Sequence, residues 1–195
     1  MFNHKTTPRG ISHPRPTSAL LAMSLAAVGV AMSPSAAHAA EPNEFTSGIV
    51  FTGDNSLALA ENATDDGKPL GGGTLVEKKA NIKSQIFRFS RNDNGTHRII
   101  SELSQNCLTA DNGGPIWATG FKPCKAGDAM QDWSLKKVRD NVYTVSAAAS
   151  LDLGVNGRRC LTNERQWNED GVSAKPCFED ESGLAKTSWI INVPQ

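Results

Sequence analysis

Few residues in this chain could do covalent chemistry. Beyond residue 39, His97 is the one histidine, so a Ser-His-Asp or Cys-His arrangement has a single candidate base. Cys107 and Cys124 stand 17 positions apart, as do Cys160 and Cys177. An even set of cysteines in an exported chain reads as disulfides, not as nucleophiles, and no His or Cys set has metal-ligand spacing. Gly71-Gly72-Gly73 lacks the Lys-Ser/Thr and the strand–helix setting of a phosphate loop, and reads as a flexible connection. The carboxylates of Asp65-Asp66 and Glu179-Asp180-Glu181 sit in polar stretches that read as solvated loops, and nothing pairs them as in a glycosidase. No catalytic residue, metal or cofactor is therefore expected, which leaves recognition. Trp117 lies near Asp111 and Asn112, and Trp167 near Asn163, each group between the members of one cysteine pair. Aromatic rings beside short polar side chains suit saccharide or protein recognition, and these five residues are the candidate ligand-binding set.

Export is written at the start of the chain. Residues 1–17 carry Lys5, Arg9 and Arg15 and no acid, Ala19 to Met32 is an uncharged apolar run, and Ala36-Ala37-His38-Ala39-Ala40 offers small residues for cleavage. This is the pattern of a secretory signal over residues 1–39, and its apolar run is too short for the roughly 30 Å core of a bilayer. Residues 40–195 then form a single domain in an oxidising compartment, extracellular or periplasmic. They hold 17 basic and 20 acidic residues, a net charge of −3, which lacks the electrostatic footprint for nucleic acid.

Helix signals are scarce. Gly, Asn, Asp, Ser and Thr cut the chain into short β-branched or aromatic runs such as Ile86–Phe89, Arg98–Ile100, Val142–Val145 and Trp189–Val193. That spacing predicts an all-β sandwich or barrel. Asn92-Asp93-Asn94-Gly95 and Arg139-Asp140-Asn141 read as hairpin turns. Lys78–Lys83 and Ser146–Leu151 read as short helical turns.

A repeat underlies the pattern. Cys107-Leu108-Thr109, Lys122-Pro123-Cys124 and Gln131-Asp132-Trp133 reappear as Cys160-Leu161-Thr162, Lys175-Pro176-Cys177 and Thr187-Ser188-Trp189. A degraded copy precedes them, with Leu57-Ala58-Leu59-Ala60 and then Gln85-Ile86-Phe87. Tandem Cys-Leu-x units closed by Gln-x-Trp resemble the ricin B-type lectin family. The resemblance implies a β-trefoil of three repeats, about residues 45–98, 99–146 and 147–195, with Phe87, Trp133 and Trp189 as equivalent core aromatics. It also implies that the glutamine side chain satisfies backbone groups that a turn leaves unpaired. Four cysteines alone allow three pairings; repeat equivalence implies Cys107–Cys124 and Cys160–Cys177, each closing a loop for which chain entropy gives roughly 3 kcal/mol. The first repeat, without cysteines, is expected to be the softest.

A sugar pocket of that family uses an Asp two residues after the first cysteine, an aromatic two residues before the second, and an Asn just before Gln-x-Trp. Here those positions hold Thr109 and Thr162 (about Leu59 in the first copy), Lys122 and Lys175, and Met130, Lys186 and Ser84. The usual galactose pocket is therefore not expected. Carbohydrate recognition by a non-standard site, with a glycan or cell-surface glycoconjugate as partner, is one expectation. The other is a protein-interaction or delivery subunit of a secreted toxin complex, because Gly72-Gly73-Thr74-Leu75-Val76 and the order Phe-x-Phe, Asn-Gly-Thr, Cys-Leu-Thr, Pro-Cys resemble the binding subunits of cytolethal distending toxins.

Overall fold

The computed structural model describes residues 42–112, 117–153, 157–163, 171–178 and 180–194. The expected export signal and Trp167 lie outside the described residues. In chain order the strands are β1 (Glu44–Ser47), β2 (Val50–Phe51), β3 (Leu57–Ala63), β4 (Pro69–Glu77), β5 (Phe87–Arg91), β6 (His97–Ser101), β7 (Cys107–Asp111), β8 (Trp117–Lys122), β9 (Asp132–Arg139), β10 (Val142–Ala147), β11 (Arg159–Asn163) and β12 (Val172–Pro176). A short helix, α1 (Glu181–Thr187), precedes β13 (Ser188–Ile190). No described helix is long and apolar enough to cross a membrane.

The pairings close a barrel. Strand β1 pairs β5, which pairs β6; β6 pairs β9, β9 pairs β10, β10 pairs β13, and β13 returns to β2, the continuation of β1 beyond Gly48-Ile49. Period-2 alternation drives this. In β5, Phe87 and Phe89 are buried while Arg88 and Ser90 are only partly covered. Three hairpins, β3–β4, β7–β8 and β11–β12, stand off the barrel and pair with one another through Gly72↔Gly120, Ser173↔Ala118, Ala174↔Trp117 and a Thr74↔Gly171 bridge.

The expected core aromatics are fully buried. Phe87, Trp133 and Trp189 each have no exposed surface, and Phe87 stacks on Phe121. The indole N–H groups of Trp133 and Trp189 donate to the carbonyls of Leu108 and Leu161, both at 2.9 Å. The glutamines do the work expected of them. Gln131 Nε2 donates to the Pro123 carbonyl and its Oε1 accepts from Lys125 N, while Gln85 makes the same pair of bonds to Glu77 and Lys79. Both disulfides form as expected, Cys107–Cys124 and Cys160–Cys177.

Both hairpin turns are present. Asn92 N donates to Thr96 O with Gly95 at φ 80°, and Asn141 takes φ 57° between β9 and β10. Some local expectations are displaced. The helical turns are single 3₁₀ segments at Lys83–Gln85 and Ala148–Leu153. Glu181 opens α1, so the acidic run is not all loop. Gly71-Gly72-Gly73 is no flexible connection: it runs inside β4, paired to β3 and to β8. A Cβ on Gly120 would lie 2.7 Å from the Gly71 carbonyl oxygen, so side-chain-free backbone is what lets these two hairpins meet.

Candidate functional site

The hydrogen bonds of Gln85 and Gln131 superimpose Glu77 on Pro123, and the strand registers then carry Ala60 onto Thr109 and Leu59 onto Leu108. The first-copy position expected at about Leu59 is therefore Ala60, one residue on; Leu59 is a buried core residue. Neither Ala60 nor the threonines can present a carboxylate. Thr109 is buried, its hydroxyl donating to the Cys107 carbonyl and accepting from Gln131 Nε2, and the Thr162 hydroxyl donates to the Cys160 carbonyl. Met130 packs against the core, and Lys122 Nζ is tied to Asp111 Oδ1 at 2.6 Å across the β7–β8 hairpin. The side chains at the family's pocket positions are spent on internal bonds or packing in β7–β8.

The described candidate residues fall on the tips of two hairpins. Asp111 ends β7 opposite Ala118, Asn112 follows it exposed, and Trp117 opens β8 opposite Ala174 of β12. Asn163 ends β11 opposite Val172, one step from the row Asp111–Ala118–Ser173–Thr162 that crosses four strands. Asp111, Asn112, the Trp117 backbone and Asn163 thus share the tips of two hydrogen-bonded hairpins. The indole of Trp117 and all of Trp167 lie outside the described residues. The side chains of Asp111 and Lys122 are about half exposed, at 49% and 52%, so their ion pair leaves the tip open to solvent.

His97, the single candidate base, faces inward. It is 2% exposed in β6, opposite Trp133, with its ring edge-on to Phe45 at 6.1 Å. Asp66 is fully exposed, its carboxyl held below the usual range by the Thr64 hydroxyl that donates to it. Among the described residues no group of three or more His, Cys, Asp or Glu side chains could hold a metal ion.

One polar cleft has no counterpart among the sequence motifs. Arg91, Asn92, Asp93, Asn94, Arg98, Gly127 and Asp132 line a depression of about 440 Å³ at the β5–β6 turn. A second depression, of about 450 Å³, shares Arg91, Asn92 and Asp93 and adds Asn43, Glu44 and Ser90. The Asn92–Gly95 turn was legible, but nothing in the sequence places Asp132 beside it.

Residues 83–175 match the family described as "Ricin-type beta-trefoil lectin domain-like". No curated protein matches the chain in sequence. Among solved structures, the designed three-fold symmetric protein ThreeFoil superimposes with a TM-score of 0.56 at 18% identity, covering 77% of this chain and 99% of its own. The cytolethal distending toxin from Actinobacillus actinomycetemcomitans gives 0.57 at 11% identity, covering 76% of this chain and 91% of its own. The hemolytic lectin CEL-III gives 0.58 at 18% identity, covering 80% of this chain, which spans only 32% of that larger protein. The all-β barrel, the two disulfides and the match over residues 83–175 together make this chain similar to the ricin B-type lectins, with a β-trefoil-like fold.

Proposed function

We propose that residues 40–195 are a secreted, non-catalytic carbohydrate-binding module, a β-trefoil of three repeats, whose site is non-standard. The recurrence of the glutamine bonds at Gln85 and Gln131, and of the tryptophan bonds at Trp133 and Trp189, supports the three-repeat reading. The observation that carries the function is the grouping of Asp111, Asn112 and Asn163 on neighbouring hairpin tips, next to β8, which begins at Trp117. Trp117 beside Asp111 and Asn112 on one tip, or Trp167 beside Asn163 on the other, supplies an apolar face for the C–H side of a sugar ring and a carboxylate or amide for its hydroxyls. The partner is a glycan or cell-surface glycoconjugate.

A glycan array and a saccharide thermal-shift screen on the mature protein test this. Binding that is lost in Trp117→Ala and in Trp167→Ala, with far-ultraviolet circular dichroism unchanged, is the expected result. Silence across a broad array, with co-purification of a second secreted protein, favours the other reading: a protein-interaction or delivery subunit of a toxin complex with decayed sugar sites. That reading draws on the Lys122–Asp111 ion pair, which occupies a family pocket position, and on a neighbour that is a cytolethal distending toxin.

A further inference from the structure

We propose that the polar cleft at the β5–β6 turn is a second binding site, for a neutral saccharide, separate from the hairpin tips. The class of ligand rests on the carbohydrate-binding reading above; the location does not, since the cleft uses none of the positions of the family's sugar pocket.

The cleft is built in advance of any ligand. Asn92 Nδ2 donates to Thr96 Oγ1 at 3.0 Å and to Asp132 Oδ1 at 2.9 Å, and Asn94 Oδ1 accepts from both the Thr96 amide and the Thr96 hydroxyl. Arg98 Nε approaches the same Asp132 oxygen at 3.4 Å. This network fastens the turn to the start of β9, forty positions away in sequence, through the β6–β9 pairing of Arg98 with Asp132. Asp132 is only 8% exposed, its Oδ1 is held by these donors, and its Oδ2 has no bond among the described residues. A carboxylate locked by one oxygen presents the other as a fixed acceptor, which is the preorganisation that hydroxyl recognition rewards.

Donors complete the set. Arg91 lines both depressions, and among the described residues its guanidinium makes no ion pair; Asp93 beside it makes none either. A fork of N–H donors next to a carboxylate matches vicinal hydroxyls, each of which gives one hydrogen bond and accepts another. The joint lining carries Arg91 and Arg98 against Glu44, Asp93 and Asp132, a formal charge of −1, so an anionic sugar is disfavoured and a neutral one is not. Each depression falls within the roughly 300–1,000 Å³ typical of small-molecule sites. No aromatic ring is among the described lining residues, so hydrogen bonds carry the recognition.

The test is a ¹⁵N NMR titration of the mature protein with galactose, N-acetylglucosamine and lactose, and with sialyllactose as the anionic probe. Neutral sugars are expected to shift the amides of Ser90–Thr96 and of Asp132, and Arg91→Ala and Asp93→Ala are each expected to weaken that response about tenfold. Among the described residues these two side chains make no internal bond, so the variants are expected to keep the fold, which the unshifted amides report directly. The same shifts are expected to persist in Asp111→Ala, where the hairpin-tip site is removed. Shifts confined to β7–β8 and β11–β12 would overturn the cleft while leaving the carbohydrate reading intact. A preference for sialyllactose would overturn the charge argument and with it the proposal. No response of these amides to any of the four sugars would overturn the cleft, while the carbohydrate reading is decided separately by the glycan array.

Discussion

The hairpins β3–β4 and β7–β8 occupy matching places and solve the same packing problem with different residues. Each feeds one strand back to the barrel and each is stapled by a glutamine, Gln85 or Gln131. In β7–β8 the ends are cross-linked by Cys107–Cys124, and Ala110 fills the inward position beyond Leu108 with no exposed surface. In β3–β4 the matching positions are Ala58 and Lys78, uncross-linked, and the inward position holds Glu61. Glu61 is 1% exposed and neither carboxylate oxygen has a hydrogen-bond partner among the described residues. Burying a carboxylate without partners costs several kcal/mol. The two hairpins therefore share one backbone plan while filling it with different side chains, because the plan is held by backbone bonds and glutamine staples that are indifferent to these side chains. The expected consequence is a less stable β3–β4.

The largest effect is expected from erasing the advantage of β7–β8. Cys107→Ala with Cys124→Ala should cost about 2–5 kcal/mol in urea unfolding, and reduction of the native protein should loosen amide-exchange protection there but not in β3–β4. The converse change sharpens the equivalence. Ala58→Cys with Lys78→Cys should form a third disulfide and add about 2–4 kcal/mol, because Lys78 N donates to Ser56 O just as Cys177 N donates to Arg158 O. If mass spectrometry finds both thiols free under oxidising conditions, the hairpins are not equivalent. Next in size, Glu61→Ala, which copies Ala110, should raise stability by about 1–3 kcal/mol; a loss on thermal melting would mean that the carboxylate has a partner. Trp133→Phe, which copies Phe87, should cost about 1–2 kcal/mol by leaving the Leu108 carbonyl without its indole donor.

The smallest effect is in the β3–β4 turn, where Thr64 donates to Asp66 and depresses its carboxyl. A depressed folded pKa contributes stability above the unfolded value and loses it as pH falls through the folded one. Thr64→Ala should return the Asp66 titration to the ordinary range by NMR, with little change in stability at neutral pH.

What the residue order determined by itself is what short-range chemistry controls. The equal spacing of the cysteine pairs, the Gln-x-Trp elements and the Asn-Gly turn are local patterns, and their consequences appear as expected: two disulfides, buried Trp133 and Trp189, and a hairpin at Asn92–Thr96. The tertiary structure alone decided where separate hairpins touch. It turned Gly71-Gly72-Gly73 from an apparent linker into the contact surface of β4 on β8, moved the first-copy position from Leu59 to Ala60, and buried Glu61. It also set Asp132 against a turn forty residues earlier, making a polar cleft from side chains that in the sequence read as one turn and one Gln-x-Trp spacer. Local patterns survive in sequence because neighbouring atoms fix them. Contacts across the barrel depend on register and closure, and a one-residue shift in register reverses which side chains meet.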